Sequence, residues 1–198
     1  MIEQVVRPFF QVHLFDALAR HCRRWHLTPN HLTALSLVLG VMVPIMLSLE
    51  RPILACLLLW MSGLADVLDG SVARLTQSHS DWGAFFDNVS DRIVEFSVLF
   101  GLLLVAPAER AVMCFGMGFS VAICVTTFLL AGMFTQNRSH KSFHYSPGLM
   151  ERAEAFIFFS AMMVFQSVFD WLALAFIVLT LYTAFARMMS FKNQSLSV

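Results

Sequence analysis

Eight residues between positions 66 and 91 have the types and spacing to do chemistry together: Asp66, Asp69, Gly70, Ala73, Arg74, Gly83, Asp87 and Asp91. Written out, they form D-x2-D-G-x2-A-R-x8-G-x3-D-x3-D. Asp66 and Asp69 are three apart, and Asp87 and Asp91 four apart, so on helices each pair shares one face. Glu95 continues the second stripe one turn further. Four carboxylates brought together repel one another, and two divalent cations would neutralise them. All-oxygen donors suit hard ions such as Mg²⁺ or Mn²⁺. Gly70 and Gly83 remove side chains where a bulky ligand has to approach helix backbone. Arg74, one turn beyond Gly70, can reach a phosphate bidentately, and Ala73 keeps that wall small. Paired metals beside an arginine suit a pyrophosphate: they orient it, screen its charge and stabilise the leaving oxygen.

The elements that carry these residues are unusually apolar. Of 198 residues, 58% are hydrophobic and 13% charged, with mean hydropathy +0.72, which excludes an ordinary soluble domain. Carboxylates are costly inside a bilayer and there face a polar cavity, a partner or an ion. A span needs about 20 apolar residues. Such windows lie near 31–50, 52–73, 83–107, 111–134, 151–169 and 171–190, separated by breaks at Glu50-Arg51-Pro52, Pro107 to Arg110 and Asp170, and by two longer polar stretches, 74–82 and 135–150. The expected fold is therefore an all-α integral membrane protein, one domain over 1–198, with six transmembrane helices. The short 74–82 connection makes spans two and three antiparallel neighbours. Residues 5–26 read as an amphipathic interfacial helix: Phe9, Phe10, Val12, Leu14, Phe15 and Leu18 give it apolar bulk, and Arg20, Arg23 and Arg24 meet anionic headgroups. Thr28-Pro29-Asn30 then starts span one, and Asp81 reads as the cap of span three.

Orientation follows from the cationic residues in the connections. Arg7, Arg20, Arg23, Arg24, Arg74, Arg138, Lys141, Arg152, Arg187 and Lys192 fall on one side, and only Arg51 and Arg110 on the other. Both termini, both longer loops and the aspartate cluster are expected on the cytoplasmic face of a multi-pass protein, in a bacterial inner membrane. No signal-peptide pattern opens the chain. Cys22, Cys56, Cys114 and Cys124 show no ligand or disulfide spacing and read as small buried hydrophobes. Net charge is zero, and nucleic acid is not an expected partner.

The eight-residue pattern resembles the signature of the CDP-alcohol phosphotransferase (CDP-alcohol phosphatidyltransferase) family, class I, and matches each of its fixed positions. The six-span layout and the N-terminal helix are similar to the family over nearly the whole chain. The resemblance implies that Asp66, Asp69, Asp87 and Asp91 hold two divalent metal ions. It implies that Gly70, Ala73, Arg74 and Gly83 surround the cytidine diphosphate group, and that Asp91 is the general base for the acceptor hydroxyl. The implied partners are a CDP-activated lipid, a small alcohol, membrane lipids and a second copy of the chain in a homodimer.

The implied reaction moves a phosphatidyl group from CDP-diacylglycerol to a small polyol, such as glycerol 3-phosphate or an inositol phosphate, and releases CMP. Arg138, Lys141 and Arg152 are candidates for the acceptor phosphate. The segment Gly148 to Glu154 resembles phosphatidylinositol-phosphate-type members, which often carry an arginine where this chain has Ala155. Two alternatives stand beside this reading. One is a CDP-choline or CDP-ethanolamine enzyme acting on diacylglycerol. The other is a divalent-cation transporter, against which the acids gather at one membrane face with no inverted repeat.

Overall fold

The computed structural model describes residues 15–78, 80–136 and 149–196. Its elements are α1 (Asp16–Arg24), α2 (Pro29–Ser48), α3 (Pro52–Thr76), α4 (Asp81–Val105), α5 (Pro107–Gln136), α6 (Arg152–Val164), a 3₁₀ turn (Gln166–Val168) and α7 (Phe169–Leu196). Among the described residues there is no strand. Proline sets three of the starts, since a first-turn residue needs no N–H partner: Pro29, Pro52 and Pro107 open α2, α3 and α5. Thr28 caps α2, its hydroxyl accepting from the His31 N–H while His31 Nδ1 accepts from the Thr28 N–H, both at 3.4 Å.

Ser80, not Asp81, caps α4: its hydroxyl accepts from the Gly83 N–H at 3.0 Å. Asp81 instead occupies the first turn, where a carboxylate meets the positive end of the helix dipole. The same effect moves two expected breaks. Asp170 lies in the first turn of α7, so the interruption falls earlier, at Phe165–Val168. Pro107 to Arg110 form the first turn of α5, leaving Ala106 alone as the link from α4. Arg110 is buried there; it donates to the Leu102 carbonyl at 3.3 Å and lies 4.3 Å from the centre of the Phe169 ring.

α3 and α4 are not the direct neighbours that their short connection suggested. α2 lies against both of them, and α6 touches both as well. Small residues let α2 come this close: a Cβ on Gly40 would stand 2.4 Å from Val94, and one on Gly101 would stand 2.8 Å from the Pro44 backbone. Ser36 and Ser62, buried and 3.0 Å apart, tie α2 to α3. A gap is thereby left between α3 and α4, walled by α2 and α6. The core below it is built from Leu59, Val98, Leu102, Met117, Phe159 and Phe176, while α7 packs on α5 and α6.

Among the described residues, four helical stretches are long and apolar enough to cross a membrane: Pro29–Ser48, Pro52–Thr76, Pro107–Phe134 and Gln166–Asn193. α4 has the length, at 25 residues, but carries Asp81, Asp87, Asp91, Arg92 and Glu95. α6 has only 13 residues, about 20 Å at the helical rise and short of a core of about 30 Å. Large apolar side chains point outward, among them Val112 at 81% exposure and Phe115 at 78%. α1 packs Ala19, Leu18 and Cys22 against Leu32, Leu68 and Val72 and leaves Arg20, Arg23 and Arg24 exposed. The expected helix from residue 5 lies outside the described residues as far as 14. The four cysteines are free thiols.

Candidate active site

The gap between α3 and α4 collects the carboxylates. Asp66, Asp69 and Asp87 each offer an oxygen within 4.8 Å of the others. Asp91, one turn below Asp87, is joined to them through Arg152, whose Nη1 lies 2.7 Å from Asp66 Oδ2 and 2.5 Å from Asp91 Oδ1. The gap thus brings together a group of three carboxylates and a fourth joined to Asp66 through Arg152. Asp69 is further fixed from α2, its Oδ2 accepting from the Thr33 hydroxyl at 2.5 Å. One oxygen of Asp87 is buried with no hydrogen-bonding partner. An orphaned buried carboxylate oxygen costs free energy unless something cationic meets it. Three clustered oxygen donors with a spare acceptor fit a hard divalent cation.

A cavity opens on each side of the cluster. The first, of about 380 Å³, lies among α2, α3 and the start of α4, and is lined by Asn30, Thr33, Asp69, Gly70, Ala73, Arg74, Gly83 and Asp87. All four residues expected around a nucleotide border it. Gly70 is glycine for want of a side chain in the cavity and not for helix contact, because a Cβ there would meet nothing nearer than Arg74 Nη1 at 3.6 Å. Gly83 is tighter, with Ser80 Oγ 3.1 Å and Asn30 Oδ1 3.5 Å from such a Cβ. Arg74 is steadied by a 3.0 Å bond to the Ser71 hydroxyl.

The second cavity, of about 260 Å³, lies among α4, α5, α6 and α7 and reaches Asp91. Three arginines line it: Arg92, Arg152 and Arg187. Arg92 pairs with Glu95 at 2.8 Å and with Asp91 at 3.7 Å, so Glu95 is both a partner of Arg92 and part of the wall. Arg187 is held by the Cys124 carbonyl at 3.4 Å and lies over the Phe128 ring at 5.3 Å. The buried hydroxyl of Thr180 borders the same space without a partner. Ala155 is there too, leaving room where a larger residue would fill it.

Of the acceptor-phosphate candidates, Arg152 is at this cavity, and Arg138 and Lys141 lie outside the described residues. Arg92, Arg187 and Thr180 were not singled out by the sequence. A signal existed for Arg187: a lone arginine within an apolar span marks a polar cavity, just as the aspartates do.

A family model described as CDP-alcohol phosphatidyltransferase matches residues 26–186. The chain belongs to that family. The inner membrane protein YnjF of Escherichia coli is 30% identical over 171 residues, covering 83% of this chain and 82% of its own. The archaetidylinositol phosphate synthase of Pyrococcus horikoshii is 36% identical over 78 residues, 39% of this chain, and the match spans less than half, 42%, of that relative. Among solved structures, the Mycobacterium tuberculosis phosphatidylinositol phosphate synthase in complex with manganese and citrate superposes with a TM-score of 0.75 at 19% identity, over 90% of this chain and 88% of the other. That likeness is one of fold. With its long apolar helices and its likeness to an inner membrane protein, the chain is an integral membrane protein.

Proposed function

We propose that the protein transfers a phosphatidyl group from CDP-diacylglycerol to the hydroxyl of a small phosphorylated polyol, releasing CMP. The observation that carries the reading is the carboxylate cluster standing between two cavities, one bordered by the signature residues and one by three arginines. In this reading Gly70, Ala73, Arg74 and Gly83 receive the cytidine diphosphate, with Arg74 on a phosphate. Asp66, Asp69, Asp87 and Asp91 hold two divalent ions, Mg²⁺ or Mn²⁺. When bound, these ions would screen the pyrophosphate and stabilise charge on the departing phosphate.

Arg92, Arg152 and Arg187 supply the positive charge that binds an acceptor phosphate. The unpartnered Thr180 hydroxyl supports an acceptor with hydroxyl groups of its own. Asp91 borders the second cavity, one helical turn from Asp87 at the first, and takes the proton from the attacking hydroxyl. The acceptor oxygen forms a bond to the phosphorus that carries the diacylglycerol, and the bond from that phosphorus to the CMP oxygen breaks.

The membrane placement in this reading has α2 to α7 as six membrane-embedded helices, α4 sinking its charges into the site and α6 entering only part-way. α1 lies at the interface through Arg20, Arg23, Arg24 and the exposed Trp25. The site and both termini face the cytoplasm, and exposed Trp82 at the start of α4 joins an aromatic belt there. Two copies form the working unit.

The test is CMP release by purified protein given CDP-diacylglycerol, Mg²⁺ or Mn²⁺, and each of glycerol 3-phosphate, inositol 1-phosphate, inositol and serine. Release with a phosphorylated polyol, lost in EDTA and restored by metal, is the expected result. Release from CDP-choline with diacylglycerol alone would reverse donor and acceptor, and no metal-dependent release with any pair would end the enzyme reading.

A further inference from the structure

We infer that Thr33, on a helix outside the carboxylate signature, is a positioning residue that sets Asp69 for metal binding. Thr33 is 3% exposed and lies in the second turn of α2, the helix that α3 and α4 both pack against. Its hydroxyl has two acceptors in range: the Pro29 carbonyl at 3.2 Å, four residues back, and Asp69 Oδ2 at 2.5 Å. A hydroxyl has one proton. Donation to the i−4 carbonyl is the usual habit of a helical threonine, but two oxygens 2.5 Å apart are repulsive unless the proton lies between them. A bond of that length is the charge-assisted kind, hydroxyl to carboxylate.

The hydroxyl therefore donates its hydrogen bond to Asp69, which fixes that carboxylate's orientation from across the helix interface and leaves other lone pairs for a cation. Thr33 also borders the first cavity together with Asp69 and Asp87, so a change there acts at the site and not at a distance. Hydrogen bonds to ligand carboxylates set how well they bind metal, and losing one typically costs about 10–100-fold in affinity.

This inference rests on the reading that Asp69 is a metal ligand, and its test keeps the two apart. Mn²⁺ alone is titrated into the full-length protein in detergent, with the free-ion paramagnetic resonance signal as readout, for the wild type, Asp69→Asn, Thr33→Val and Thr33→Ser. Thr33→Val keeps the shape and removes the donor; Thr33→Ser keeps the donor. The expected result is Mn²⁺ binding weakened at least about tenfold in Thr33→Val, with Thr33→Ser near the wild type. Equal binding by the wild type and Thr33→Val overturns the inference, and so does a loss in Thr33→Ser as large as that in Thr33→Val. No Mn²⁺ bound by the wild type overturns the metal reading and this inference with it. If Thr33→Val is not monodisperse, Thr33→Ala takes its place under the same outcomes.

Discussion

The two cavities differ in how their walls are drawn from the chain. Apart from Pro29, Asn30 and Thr33 of α2, the first is built from α3, the start of α4 and the short link between them, so most of its residues fall within the stretch of fixed spacing from Asp66 to Asp91. The second takes Asn88, Asp91, Arg92 and Glu95 from α4, Cys124 and Phe128 from α5, Arg152 and Ala155 from α6, and Thr180 and Arg187 from α7. No local spacing records that assembly. Asp87 borders the first cavity and Asp91 the second, one helical turn apart. On the proposed reading, donor chemistry is written locally, whereas acceptor chemistry depends on how four helices meet.

Asp91→Asn should separate the two sides most sharply. It removes the base while leaving the first cavity intact, so turnover should fall about 10²–10⁴-fold with CDP-diacylglycerol still bound. Near-normal turnover would take the base role away from Asp91.

Arg187→Ala comes next. Losing a charged contact to a phosphate costs about 1.5–3 kcal/mol, so KM for a phosphorylated acceptor should rise roughly ten- to a hundredfold. An unphosphorylated acceptor should show little change. If both acceptors weaken equally, Arg187 shapes the wall and does not bind phosphate.

The glycines give the smallest and most discriminating effects. Gly70→Ala meets open space, and alanine is the better helix former by up to about 1 kcal/mol. Thermal stability should hold or rise while KM for the CDP-lipid increases. Gly40→Ala drives a methyl into Val94 and should lose about 1–3 kcal/mol of stability, seen as a lower midpoint of unfolding. If Gly70→Ala were the destabilised variant and Gly40→Ala the one with the raised KM, the two glycines would have exchanged roles.

The same contrast explains what could be read from the chain. The helices lie close to the apolar windows because hydropathy and helix length are local quantities, and Thr28 and Pro29 mark the start of α2 by ordinary capping. What misled were charges near helix ends. Asp170, Asp81 and the Pro107 to Arg110 run read as breaks or caps, yet each belongs to a first turn, where an acid is stabilised and a proline is free of its missing bond. The position of α2 between α3 and α4 was hidden because Gly40, Gly101, Ser36 and Ser62 are small residues that say helices approach closely without saying which helices. Arg152 and Arg187 were visible as cations, but only the tertiary fold brings them to one cavity beside Asp91.

Whether the carboxylates divide a donor cavity from an acceptor cavity is decided by steady-state CMP release with both substrates varied. Wild type, Arg74→Ala and Arg187→Ala would be compared at saturating Mn²⁺. Arg74→Ala should raise KM for CDP-diacylglycerol and leave that of the acceptor alcohol unchanged, while Arg187→Ala should do the reverse. Both variants raising the same KM would contradict that division.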